Sequence, residues 1–430
     1  MFSLPDTIAE CHNLVNNGTE LASGTQKAIL SPYFGRPIAT LRASTAGDVE
    51  TLVQAAAAAA PAWRARPMRE RAQLLGRLRT LLESRADEVA HTVALESGKT
   101  QAEAKAGLER GLEVVDFAMS LQALDLGGAL EVSRGVHCEV AREPLGVVLG
   151  ITPFNFPAMV PLWMMPIALC TGNTFVLKPS DKVPMSADLL GRMVVEAGFP
   201  PGVFSIAHGD QQTVEALIDH PAVQAVAFVG STPVAQSVYA RAAARGKRAL
   251  CLGGAKNHVI VAPDADPELT VRAVYDSFTG CAGQRCMAGS VLVTVGRTSK
   301  VVEGIVELAR GCRLGENMGA LIDADARERL VAAIDRAEAE GARVRIDGRR
   351  LTPPERYAGG YWFGPTILDG VRPEMECATR ELFGPVLSVI QVDTLDAALA
   401  LEQKSPYGNA TSIFTRSGAV ARCATCSATR

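Results

Sequence analysis

The sequence predicts an α/β protein made of two units, each built on a mainly parallel sheet with helices on both faces. Three observations lead there. Short β-branched apolar runs alternate with helical stretches in the middle of the chain, which is the pattern of strand–helix–strand units. A second series of the same kind follows it. At 430 residues the chain has room for two or three domains.

Taken in order, the first 125 residues read as helix. "DVETLVQAAAAAAPAW", "RERAQLLGRLRTLLESRADEVAHTVALES" and "AEAKAGLERGLEVVDFAMSL" carry apolar residues at helical spacing. "GGALEVSRGVHCEVAREPLG" alternates polar with apolar residues and predicts a hairpin or extended arm. The first α/β series then has strands "LGVVLGIT", "TFVLKP", "VFSIAHG", "AVAFVG" and "RALCLGG". Helical stretches such as "PMSADLLGRMVVEAG" and "TPVAQSVYARAAARG" separate them. The second series has "HVIVA", "SVLVTVG", "ARVRIDG", "PTIL", "PVLSVIQV" and "ATSIFTR". No internal repeat is visible.

Composition narrows the function classes. A formal net charge of −3 gives no reason to expect nucleic acid or an anionic membrane as partner. The longest apolar run, "MVPLWMMPIALCTG", holds two prolines and is too short to span a bilayer. The N-terminus lacks the basic flank and apolar core of a secretory signal. Ten cysteines are too sparse for a disulfide scaffold, so a reduced, cytoplasmic setting is expected. Cys281 and Cys286 have no accompanying Cys or His pair, so no metal site is expected.

Four stretches could carry chemistry. In "FVGSTPVAQS", a strand turns into a helix at Gly230 and Ser231. That geometry suits a phosphate, although an ordinary capped turn would look the same. In "VLKPSD", Lys178 and Asp181 flank a proline at a strand's C-terminal end, where open α/β sheets bind ligands. In "ITPFNFP", Asn155 stands between aromatics in a stiff turn, either as a structural amide or as a donor to a developing oxyanion. In "TGCAGQRCMAG", Cys286 follows Arg285, which would lower its pKa if the guanidinium stays near, while Cys281 looks like a small core residue. No histidine lies nearby in sequence, so a Cys–His hydrolase has little support.

These stretches, in this order and followed by "ELFGPV", resemble the aldehyde dehydrogenase superfamily from about Ser31 to Arg416. The resemblance implies a Rossmann-type NAD-binding domain (1–126 and 145–250), an oligomerisation arm (127–144) and an α/β catalytic domain (251–416). An atypical tail (417–430) would follow. It implies that Cys286 attacks the aldehyde and that Asn155, with the cysteine's own amide, donates to the oxyanion. It assigns Phe154, Lys178, Asp181, Gly230, Ser231, Glu381 and Phe383 to the NAD cofactor. Among these, Lys178 and Asp181 serve the adenosine ribose, and Glu381 the nicotinamide ribose. NAD is expected over NADP, because the Asp181 carboxylate would repel a 2′-phosphate.

Two departures from the family pattern matter. Hydrolytic members carry a glutamate immediately before L-G-G, where it activates water. Here Cys251 stands in "RALCLGGAKNH". A thiol is a poor substitute for that base. "LGGAKNH" and "GQRCMA" closely resemble the methylmalonate-semialdehyde dehydrogenase branch, which transfers the acyl group to coenzyme A. In that branch two arginines, matching Arg110 and Arg285, hold the substrate carboxylate. The expected function is therefore NAD-dependent, coenzyme A-acylating oxidation of methylmalonate or malonate semialdehyde. The alternatives are a hydrolytic aldehyde dehydrogenase and a truncated, non-catalytic nucleotide-binding homologue. The second departure is "RSGAVARCATCSATR", whose last residues do not resemble the family. A truncated or altered end is expected, with an incomplete homo-oligomer contact.

Overall fold

The computed structural model describes residues 2–20, 22–124, 127–296 and 298–427. The expected boundary at residue 126 and the last three residues of the expected tail lie outside the described residues. The chain divides into two compact units. One holds residues 1–30, 37–97 and 104–253; the other holds 31–36, 98–103 and 254–430.

The first unit opens on strands rather than the expected helix: β1 (Ala9–Cys11), β2 (Asn13–Val15), β3 (Gly18–Glu20), β4 (Gln26–Ser31) and β5 (Arg36–Arg42). Asn16 and Asn17 both have positive φ, at 49° and 64°. They make the two-residue connection of a tight hairpin, with Val15 opposite Gly18. Helices begin only at α1 (Ala46–Ala65), where Thr45 and Asp48 form a reciprocal cap. The long stretch after it splits at Arg85 into α2 (Met68–Ser84) and α3 (Ala86–Ser97), and α4 (Gln101–Leu124) follows. The expected arm is a hairpin of β6 (Gly128–Ser133) and β7 (Val136–Val140), whose residues are all exposed.

The predicted alternation then appears as β8 (Val147–Ile151), α5 (Met159–Cys170), β9 (Thr174–Lys178), α6 (Met185–Glu196), β10 (Phe204–Ile206), α7 (Gln211–Asp219), β11 (Val223–Val229), α8 (Thr232–Ala244) and β12 (Arg248–Leu252). The sheet order is β12-β11-β8-β9-β10-β2-β3, with β8 to β12 parallel. Both faces are covered. On β9, Phe175 and Leu177 pack into the layer of α2 to α6, while Val176 packs into the layer of α1, α7 and α8. Each such side chain contributes about 1.5–3 kcal/mol by leaving water. Gly150 on β8 is needed for this packing, since a Cβ there would lie 2.2 Å from the Phe175 ring.

The second unit contains β13 (Asn257–Val261), α9 (Pro267–Thr279), β14 (Gly289–Val295), α10 (Ser299–Arg310), α11 (Ala324–Ala339), β15 (Arg343–Ile346), β16 (Thr366–Asp369), α12 (Glu376–Thr379), β17 (Val386–Val392), α13 (Leu395–Gln403), β18 (Thr411–Phe414) and α14 (Gly418–Ser427). Its sheet order is β15-β16-β17-β14-β13-β18, parallel except for β15. The short segments 31–36 and 98–103 belong to this unit: the Tyr33 hydroxyl donates to the Lys99 carbonyl at 2.8 Å, and its ring packs edge-on against Trp362. No helix among the described residues is long and apolar enough to cross a membrane.

Candidate active site

In the first unit the chain runs from β8 to β9 and β10 on one side, then returns to β11 and β12 on the other. The strand order therefore reverses between β8 and β11. Open parallel sheets bind dinucleotides at the carboxyl ends of the strands flanking such a reversal. Three of the predicted stretches lie at carboxyl ends of these strands. Phe154 and Asn155 come after β8, Gly230 and Ser231 after β11, and Lys178 closes β9, where it pairs with Ile151 of β8.

The details suit a bound dinucleotide. Ser231 takes the extended N-cap conformation of α8, but its hydroxyl makes no capping bond. Gly230 cannot carry a side chain there, because a Cβ would meet the Phe228 ring at 2.5 Å. Lys178 is 6% exposed. Burial holds its pKa below the usual lysine value, against the opposing pull of Asp181 and Asp210. Burial alone would raise the Asp181 carboxyl. The hydrogen bond from Lys27 and the charges of Lys27, Lys178 and Lys182 outweigh it, so the pKa lies below the ordinary value. Lys182 sits over the Phe154 ring at 5.5 Å. Asn155 is buried. Cys251 lies within β12, and burial raises its thiol pKa, which leaves it a poor base near neutrality. Arg110 stands on the surface of α4, and its guanidinium is bonded to Glu113 at 2.8 Å.

In the second unit, α9 is capped by Gly280 and followed by three successive left-handed residues: Cys281 (φ 54°), Ala282 (φ 51°) and Gly283 (φ 69°). Two of the three are not glycine, which costs about 1–2 kcal/mol each. Surrounding groups hold the turn. The Cys281 amide donates to Glu103 Oε1 at 2.6 Å, and Lys99 Nζ donates to Cys281 Sγ at 3.2 Å. Gln284 Oε1 accepts from the Ile322 amide at 3.0 Å. Beyond the turn, Asn257 and Asn409 donate to the Cys286 carbonyl at 2.7 and 3.0 Å. Cys286 is thus half-buried in a fixed loop, while Cys281 is buried and already bonded, as expected of a core residue.

The electrostatics correct one expectation. Cys286 has a raised pKa, through burial first and the Glu381 carboxylate second. The amides of Cys286 and Met287 pull it down, and Arg285 contributes least among these opposing effects. The reason is geometric: the Arg285 guanidinium turns back onto the terminal carbonyls of α9, bonding Asp276 O and, at 3.0 Å, Ser277 O. Glu381 accepts the Ala255 amide at 3.2 Å, and burial raises its own pKa. Next to it Lys256 is buried, with its pKa pushed down to about 8 by that burial and no hydrogen-bond partner for its ammonium among the described residues. Phe383 has a strained φ of 55°.

Sequence reading did not single out Lys27, Lys99, Glu103, Asn257 or Asn409. Asn257 lies inside the quoted "LGGAKNH" and Asn409 immediately before "ATSIFTR", so their side chains could have been considered. Lys99 and Glu103 lie 182 and 178 residues from their partner Cys281, and nothing local signals them.

The sequence matches the aldehyde dehydrogenase family over residues 20–427. The chain belongs to that family. The match begins earlier and runs further than the expected span of Ser31 to Arg416. A malonate-semialdehyde dehydrogenase of Geobacillus kaustophilus is 42% identical over 93% of this chain and 84% of its own length. An acylating mitochondrial methylmalonate-semialdehyde/malonate-semialdehyde dehydrogenase of Rattus norvegicus is 40% identical over 92% of this chain and 75% of its own. Among solved structures, the aldehyde dehydrogenase fold recurs at a TM-score of 0.95 in methylmalonate-semialdehyde dehydrogenase from Oceanimonas doudoroffii. That protein is 38% identical, with 97% of this chain and 88% of that one covered. A protein of Sinorhizobium meliloti assigned to the same activity, solved with NAD, gives a TM-score of 0.96 at 36% identity, with 98% and 88% covered.

Proposed function

We propose that this aldehyde dehydrogenase oxidises malonate or methylmalonate semialdehyde with NAD and delivers the acyl group to coenzyme A. The observation that carries the reading is Cys251. By resemblance it stands immediately before L-G-G, where hydrolytic members carry the water-activating carboxylate, and burial raises its pKa, which keeps it protonated near neutrality. The relatives named for the two semialdehydes support the substrate class.

The donor set of the first unit fits a dinucleotide. The N-terminus of α8, where the Ser231 hydroxyl makes no capping bond, suits a pyrophosphate, and Lys178 with Asp181 suits a ribose diol. Cys286 attacks the aldehyde carbon once its thiol has lost a proton, and charge develops on the carbonyl oxygen. On the family pattern, Asn155 and the Cys286 amide donate to that oxygen. NAD held by these residues would take up the hydride lost from that carbon, and Cys286 would be left as a thioester. Water attacks thioesters slowly without a base, whereas a thiolate attacks readily. The thiol of coenzyme A therefore completes the turnover and frees Cys286. Glu381 and Phe383 are read as cofactor contacts.

Arg110 and Arg285 are read as the groups that take the substrate carboxylate. The Arg110–Glu113 pair is an exposed i,i+3 contact worth about 0.2–0.5 kcal/mol, little enough to exchange for a substrate carboxylate. Arg285 would have to leave the carbonyls of α9.

Mixing folded enzyme, semialdehyde and NAD without coenzyme A should release a burst of about one NADH per active site and then stall. Adding coenzyme A should restore steady turnover with acyl-coenzyme A as product. Steady NADH release that ignores coenzyme A, with free acid accumulating, would refute the acylating reading and leave a hydrolytic enzyme.

A further inference from the structure

Asp181 follows the second strand of the parallel series β8, β9, β10. In open dinucleotide-binding sheets, an acidic residue after the second strand accepts from the adenosine ribose and repels a 2′-phosphate. Here the carboxylate does not stand alone. Lys27, at the start of β4, lies 154 residues away in sequence, and its Nζ is 2.6 Å from Asp181 Oδ2. Both side chains reach solvent, with Lys27 54% and Asp181 32% exposed. Lys178 and Lys182 also act on the same carboxylate. Asp210, the other acid close to Lys178, spends its Oδ1 on the Gln212 and Thr213 amides at the start of α7. One carboxylate is thus surrounded by three lysines at the place where a 2′-phosphate would arrive.

We propose that Lys27 is the residue that sets the choice between NAD and NADP, which rests on reading this sheet edge as the adenosine end of the cofactor site. With NAD, Lys27 stays on Asp181 and steadies it toward the ribose hydroxyls. With NADP, Lys27 exchanges Asp181 for the 2′-phosphate. A partly exposed pair is held weakly in water, so the exchange is cheap, whereas a phosphate dianion is the stronger partner. NADP is therefore accepted beside NAD, contrary to the strict preference that Asp181 alone would impose.

The test is a double-variant cycle on the full chain, measured as dissociation constants of NADH and NADPH from the change in nicotinamide fluorescence. Lys27→Met should weaken NADPH by about tenfold or more, the size of one lost charged hydrogen bond, and leave NADH within about threefold. Asp181→Asn should tighten NADPH, because Lys27 is released from its partner. In the double variant that gain should vanish. A gain of equal size in the double variant would assign it to lost repulsion and overturn the role of Lys27. So would equal weakening of NADH and NADPH by Lys27→Met. Failure of the underlying site reading has a different signature: neither these changes nor Lys178→Met would alter either constant, and both proposals would then fall.

Discussion

Gly283→Ala should dislodge the loop that carries Cys286, and the structure supplies the magnitude. Gly283 has φ 69°, and an alanine there costs about 1–2 kcal/mol in backbone strain. Its Cβ would also lie 2.2 Å from the carbonyl of Gly384. That carbonyl accepts the Val386 amide at 2.8 Å, so it cannot retreat without breaking a bond worth about 1 kcal/mol. The two costs sum to at least about 2 kcal/mol. In a unit of this size the apparent Tm should fall by roughly 4–8 °C. If the loop shifts to relieve the clash, Cys286 leaves its position and the NADH burst shrinks. Differential scanning calorimetry and the burst amplitude read the two effects separately. Unchanged Tm together with a full burst would show that the left-handed turn is not what holds Cys286.

Two further predictions follow from the electrostatics. Because Cys286 is raised above the ordinary thiol value of about 8.5, alkylation by iodoacetamide should quicken about tenfold per pH unit up to and beyond that value. Glu381→Gln removes a charge that raises this pKa, so alkylation at neutral pH should become faster. A rate that is flat from neutrality upward in wild type, or slower in the variant, would contradict the sign. Arg110→Leu should reduce kcat/KM for malonate semialdehyde roughly tenfold to a hundredfold while sparing propanal. Equal losses with both aldehydes would remove Arg110 from carboxylate recognition.

The alternating part of the chain was legible because its strands are apolar, β-branched and separated by helices of full length. The first 45 residues were not: β1 to β3 are too short to show a period, and the longer β4 and β5 alternate buried with exposed residues only over part of their length. The signal available there was Asn16-Asn17-Gly18, a turn that tolerates positive φ at both central residues. The splitting of one apparent helix at Arg85 left no sequence mark either: residues on both sides keep helical spacing, and the break shows only in the backbone, at φ −110° and ψ 24°.

The site divides along the same line. Motifs report residues whose neighbours along the chain fix them, as with Gly230 and Ser231 at the start of a helix. They do not report electrostatic partners, which the fold supplies from a distance. Arg285 is the sharpest case. It is the immediate neighbour of Cys286, and adjacency suggested a depressed thiol pKa. The guanidinium instead donates to two carbonyls in the last turn of α9: that of Ser277, left open because the Cys281 amide turns to Glu103, and that of Asp276, which also accepts the Gly280 amide. The charge that acts most strongly on Cys286 is Glu381, nearly a hundred residues further on, and its sign is opposite. For the Cys286 thiol, proposed above as nucleophile, a raised pKa keeps the resting group protonated and makes it a poorer leaving group from a thioester. Leaving-group strength therefore gives coenzyme A no advantage over water; in the proposed reaction that choice rests on Cys251, which supplies no base to activate water.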